Sequence, residues 1–148
     1  MISRPTRVHL AATLALLAGF ASIAQADDAA ALAAAVREGG AVLSPSGVVF
    51  RTIKAGSGAS PKATDTVKVN YRGTFPDGRE FDASRNGPVS FPLNRVIPCW
   101  TEGVQKLKVG GKAKLTCPSA TAYGPAGAGG DIPPNATLIF EVELLAIN

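Results

Sequence analysis

Six aromatic residues carry what chemistry this chain offers: Tyr71, Phe81, Phe91, Trp100, Tyr123 and Phe140. Each falls where the local pattern points inward, and rings of this kind dominate ordinary core burial. Two of them sit where a core residue is not required. Tyr123 lies in a loop rich in Gly, Pro and Ala, and Trp100 stands just after Pro98 at a helix entrance. Loops are where binding groups gather, so the set reads as a cavity lined by rings. Other chemistry is missing. The only histidine is His9, in an N-terminal segment that carries export signals. Without that segment, histidine triads, imidazole acid–base catalysis and most zinc sites are excluded together. There is no GxGxxG and no Walker loop, and neither a metal nor a cofactor is expected. Gly127-Ala128-Gly129-Gly130-Asp131 occurs once, whereas calcium nonapeptides come in tandem, so it reads as a loop. Asp77 and Glu80 flank a turn, where solvation accounts for them. Asn135-Ala136-Thr137 matches a glycosylation acceptor, relevant only in a eukaryotic secretory pathway.

The 148 residues, 46% apolar and 6% aromatic, suit one domain with a single core and exclude a disordered chain. Arg4, Arg7 and His9 precede an apolar run from Leu10 to Ala24, and Ala24-Gln25-Ala26 fits the small-x-small cleavage rule. Residues 1–26 are expected to be a signal peptide, too short in its apolar run for a membrane span, with the mature chain starting at Asp27. Cleavage would lower the net charge from +4 to +2. A balance that small is no nucleic-acid footprint. Lys106, Lys108, Lys112 and Lys114 alternate as on a solvated strand or hairpin. The alanine-rich signal points to the bacterial periplasm, or to secretion beyond it, with no stable membrane insertion after cleavage.

The elements that must position the rings follow from periodicity. Residues 27–45 form an Ala-rich helical leader and linker, acidic at Asp27 and Asp28 and closed by Gly39-Gly40. Its apolar face is mostly Ala and gains little from packing; with no pairing stripe, a monomer is expected. From residue 46 onward short strands dominate. Val48 to Ile53 is β-branched, and Val67, Val69 and Tyr71 alternate with Lys68, Asn70 and Arg72. Pro76-Asp77-Gly78 turns the chain back through Phe81. Ala113, Leu115 and Cys117 form one inner face; Leu138, Phe140, Val142 and Leu144 form another, opposite Thr137, Ile139, Glu141 and Glu143. One short helix is expected over Thr101 to Leu107. The fold class is α+β: a curved antiparallel sheet wrapped on one short α-helix. Cys99 and Cys117 are the only cysteines; in an oxidising compartment they are either a disulfide or two buried thiols.

Four blocks in register give this region a family likeness: VKVNYRGTFPDGREFD from Val67, FPLNRVIPCW from Phe91, KAKLTCPSATAYG from Lys112 and IPPNATLIFEVELL from Ile132. Residues 46–148 resemble the FKBP-type peptidyl-prolyl cis–trans isomerases. The resemblance implies an activity, rotation about X–Pro bonds of proline-containing client polypeptides to assist the folding of exported proteins, and macrolides as further ligands. The alternative is a chaperone or adaptor that binds proline segments without turnover. It also implies roles: Trp100 as the floor; Tyr71, Phe81, Phe91, Val96, Ile97 and Phe140 as walls; the Ile97 N–H and the Tyr123 hydroxyl as donors to substrate carbonyls; Asp82 at the rim, held by Tyr71 and Arg85; and Ile132 closing the loop side. It places Cys99 at the helix entrance above Cys117, which favours the bridge. This chain departs from the common pattern at Cys99 (usually Gly), at Val89 (Phe in macrolide-binding members), in a shorter loop from Ser84 to Ser90, and at Ala128 (often His).

Overall fold

Strict alternation of apolar and polar residues builds the sheet. The computed structural model describes the backbone of residues 19–148 and side chains from residue 28. The signal-peptide expectation falls mainly on residues 1–18, outside the described part. The strands are β1 (Ala41–Leu43), β2 (Val49–Lys54), β3 (Thr66–Thr74), β4 (Glu80–Ala83), β5 (Val89–Pro92), β6 (Lys112–Cys117) and β7 (Leu138–Ile147). All pairings are antiparallel, in the order β1-β2-β6-β7-β3-β4, with β5 beside the first half of β3. β7 alternates as its sequence requires: Leu138, Phe140, Val142 and Leu144 are buried in one core with Val67, Val69, Ala113 and Leu115.

That inner face is covered by α2, Pro98–Val104. The helix begins three residues before the expected Thr101, because Pro98 occupies its first position, where a fixed φ and a missing N–H cost nothing. The Ile97 carbonyl accepts from the N–H groups of Trp100 (2.9 Å) and Thr101 (3.2 Å). Leu107, expected inside the helix, lies just beyond the turn that follows it and is still buried. Gly103 allows the close approach: a Cβ there would come within 2.6 Å of the Leu115 side chain. Cys99 and Cys117, both fully buried, are joined by a disulfide (Cα–Cα 5.8 Å) that ties the start of α2 to the end of β6.

A second helix, α1 (Gly19–Arg37), differs from the expected leader. It starts ahead of Asp27, since the alanine-rich stretch holds no breaker there, and its C-terminal part lies on the outer face of the sheet. Ala35 is buried, and the Asp28 carboxylate accepts from the Thr137 N–H (3.0 Å). Glu38 just past the helix lies 2.6 Å from Arg51 Nε and accepts from Lys114 Nζ at 2.7 Å. The Lys114 hydrogen bond, with the charges of Lys114 and Arg51, holds the Glu38 carboxyl below its usual range against a partly opposing burial. Thr137, assigned from its period to the outward side, is therefore 1% exposed, beside Val49 and Thr116, also buried. Ala41–Leu43, expected in a linker, instead forms the sheet's edge. Of the four alternating lysines only Lys112 and Lys114 stand on a strand; Lys106 follows α2, over the Phe50 ring at 5.8 Å.

Candidate functional site

The concave side of the sheet and the start of α2 enclose an open cleft of about 430 Å³. Its lining comes from six places in the chain. β3 supplies Tyr71, β4 Phe81 and Asp82, β5 Phe91, and β7 Phe140; Arg95, Val96 and Ile97 precede Trp100 on α2, and Tyr123 stands in the loop after β6. Trp100, 4% exposed, is the hub: the rings of Tyr71, Phe91 and Phe140 meet it edge-on, with centroids 5.2, 5.5 and 5.4 Å away. Edge-to-face pairs of this kind each add about 0.5–1.5 kcal/mol beyond burial, so the floor is rigid. Phe81 continues the wall, edge-on to Phe140 at 5.5 Å and tilted against Phe75 at 5.1 Å. The Trp100 indole N–H is buried with no acceptor among the described residues.

Gly73 is a site residue the sequence reading passed over. It pairs with both Asp82 and Phe140, and a Cβ there would lie 2.6 Å from Phe81 Cζ and 2.9 Å from Phe140 Cε1. The absence of a side chain is what lets those rings close. The available signal was a glycine inside an alternating strand, which often marks a close approach.

Polar groups are few and directed. The Tyr71 hydroxyl donates to Asp82 Oδ2 (2.8 Å), and the Ala83 N–H donates to Asp82 Oδ1 (2.9 Å). Burial, then the hydrogen bond and charge of Asp82, push the Tyr71 hydroxyl up from 10 to about 12. The neutral form is thus favoured by folding: its contribution is whole below pH 10 and is lost as pH passes about 12. The chain has two tyrosines. In a Tyr123→Phe variant the remaining one should titrate near 12 by ultraviolet absorbance in the folded protein; a midpoint near 10 would show that neither the burial of the ring nor the bond to Asp82 holds in solution. Tyr123 is 41% exposed, and among the described residues neither its hydroxyl nor the Ile97 N–H is used in a protein hydrogen bond. Both remain available to a ligand.

Two expected members stand elsewhere. Arg85 does not hold Asp82; its guanidinium pairs with Glu80 at 2.8 Å, where Glu80 also meets Arg72 at 3.3 Å. Ile132 is buried in the core and bridged to Ala128 through both backbone N–H groups (2.9 and 3.1 Å), outside the cleft lining. Conversely Arg95, which the sequence reading did not single out, lines the cleft. Asp77 and Glu80 make no carboxylate pair for catalysis: Asp77 accepts from Arg79 Nε at 2.7 Å. Among the described residues no cluster of His, Cys, Asp and Glu could hold a metal, and no helix is long and apolar enough to cross a membrane.

Residues 58–145 match the family model described as FKBP-type peptidyl-prolyl cis-trans isomerase. The chain is 55% identical over 118 residues to the FKBP-type peptidyl-prolyl cis-trans isomerase FkpA of Aeromonas hydrophila, covering 78% of this chain and 44% of that one. It is 52% identical over 104 residues to the 22 kDa FKBP-type isomerase of Escherichia coli, covering 69% and 50%. The chain thus spans about half the length of these curated relatives, or less. Among solved structures, FkpA from Escherichia coli superposes with a TM-score of 0.83 at 47% identity, over 86% of this chain and 61% of that one. A peptidyl-prolyl cis-trans isomerase from Pseudomonas syringae does so with a TM-score of 0.81 at 35% identity, over 86% and 95%.

Proposed function

This chain belongs to the FKBP-type peptidyl-prolyl cis–trans isomerase family, and we propose that its cleft rotates X–Pro peptide bonds in client polypeptides of the exported proteome. The observation that carries this reading is the cleft itself: an apolar cup of interlocked rings on Trp100, with free hydrogen-bond donors at its edge. In this reading residues 1–26 are an export signal, 27–45 a leader docked on the sheet, and 46–148 the isomerase domain. The working compartment is the bacterial periplasm, where the Cys99–Cys117 bridge is maintained.

Rotation about an X–Pro amide faces a barrier of roughly 18–20 kcal/mol because resonance gives C–N double-bond character. Uncatalysed exchange takes about 10–100 s, slow enough to limit folding. No bond breaks, so neither a nucleophile nor a general base is needed. The twisted amide has lost its resonance and the charge separation that goes with it. A cup that offers rings instead of water therefore favours it over the planar ground state. The rings also admit the pyrrolidine by shape. The Ile97 N–H and the Tyr123 hydroxyl hold the carbonyls on either side, so that rotation is confined to the one bond between them. Asp82 keeps its rim position through Tyr71. Each tenfold acceleration requires about 1.4 kcal/mol of such differential binding, so a few contacts account for useful catalysis.

A protease-free assay of cis–trans exchange on a short Leu-Pro peptide tests the reading. Exchange is expected to accelerate in proportion to protein added, and Tyr123→Phe to lower kcat/KM about threefold to tenfold, the worth of one hydrogen bond. Binding of the peptide with no acceleration would leave a proline-segment chaperone in its place.

A further inference from the structure

Resting on the reading of the cleft as an X–Pro site, we propose that Arg95 gives it a preference for clients with an acidic residue adjacent to the proline. The cleft lining holds two charged side chains, Asp82 and Arg95. Asp82 is already engaged by the Tyr71 hydroxyl and the Ala83 N–H. Among the described residues nothing engages the Arg95 side chain in the same way. Arg51, Arg72, Arg79 and Arg85 each stand 2.6–3.3 Å from a carboxylate, whereas among the described residues no carboxylate lies within ion-pair distance of Arg95. An exposed guanidinium left without an acid partner at the mouth of an apolar cup is positioned for an acid that arrives with the ligand.

Its backbone is held in place. Arg95 ends a 3-10 turn, Leu93–Arg95, whose first residue is fully buried. The Leu93 N–H donates to the Asp65 carbonyl (2.9 Å), and the Leu93 carbonyl accepts from Thr101 Oγ1 (2.6 Å). Two residues further on is Ile97, with its N–H open to a substrate carbonyl. An extended peptide advances about 3.3–3.6 Å per residue, so a chain held at Ile97 carries the neighbour of its proline past the Arg95 side chain. Guanidinium and carboxylate match as a two-pronged pair, and the apolar walls weaken water's screening of it.

The test uses matched pairs of short peptides, Glu-Pro against Gln-Pro and Pro-Glu against Pro-Gln. They are measured by exchange NMR and by quenching of Trp100, the only tryptophan. At low ionic strength the native protein should favour the Glu member of at least one pair about fivefold in kcat/KM and in Kd. Arg95→Ala should bring that ratio close to one, Arg95→Lys should keep part of it, and Arg95→Glu should invert it. Raising the salt to about 0.5 M should shrink the native preference. A ratio equal in the native protein and Arg95→Ala, or no Glu preference in either pair, would overturn the proposal. Should no peptide be turned over, the isomerase reading fails, and the Glu-to-Gln ratio in Kd still decides the role of Arg95.

Discussion

Phe81→Ala is expected to lower kcat/KM on a Leu-Pro peptide by about tenfold to a hundredfold while the domain stays folded. The ring forms one wall of the cleft, packed against Phe140 at 5.5 Å, Phe75 at 5.1 Å and the backbone of Gly73. Burying an aromatic side chain is worth about 1.5–3 kcal/mol, and one that closes over the twisted amide spends that energy in the transition state. At about 1.4 kcal/mol per decade the rate range follows. Stability should suffer less. β4 pairs only with β3, and Phe81 is half-buried, packed against the core cluster rather than within it. Far-ultraviolet circular dichroism and a urea melt would therefore show a folded domain. Turnover equal to the native protein's, in a folded variant, would remove Phe81 from the cleft's chemistry. Loss of folding instead would show that this wall supports the core.

Loss of the Cys99–Cys117 bridge is expected to cost about 3 kcal/mol of unfolding free energy. The bridge closes an 18-residue separation, and the chain-entropy model assigns roughly that value to a loop of this size. Two measurements isolate it. Reducing the native protein should lower its urea midpoint, and the double variant Cys99→Ala/Cys117→Ala should fall with it and no longer respond to reductant. Thiol titration of unfolded, unreduced protein should find no free sulfhydryl; two would show that the bridge does not form. Activity should follow stability here. Cys99 adjoins Trp100 at the head of α2, and Cys117 leads through Pro118 to the loop of Tyr123. The bridge thus pins together the two segments that carry the floor and the free hydroxyl.

Much of this architecture was legible in the residues. β7 and β3 alternate apolar and polar so regularly that their inner faces needed no tertiary information. The helix was legible too, but was misplaced by three residues, since proline near a helix start is as easily read as a boundary as a first residue. The outer layer was not legible. α1 has an alanine surface with no stripe to betray a partner, and it is docked by Glu38, Asp28 and the Thr137 N–H just ahead of β7, which no periodicity announces. Thr137 was misassigned for the same reason: alternation states which side a residue faces, not whether something covers that side.

By itself the amino-acid order determined the kind of chemistry open to this domain. Six rings spaced along short strands and loops, with no imidazole after residue 9, exclude imidazole acid–base catalysis and point to a ring-lined cavity. The tertiary structure alone decided which charges surround the cup. The family likeness pointed to Arg85 and left Arg95 unremarked, yet Glu80 captures the first while the second remains at the cleft mouth. A long exposed side chain takes the nearest acid in space, and that acid's position depends on turns and loop lengths that hydrophobic periodicity does not encode.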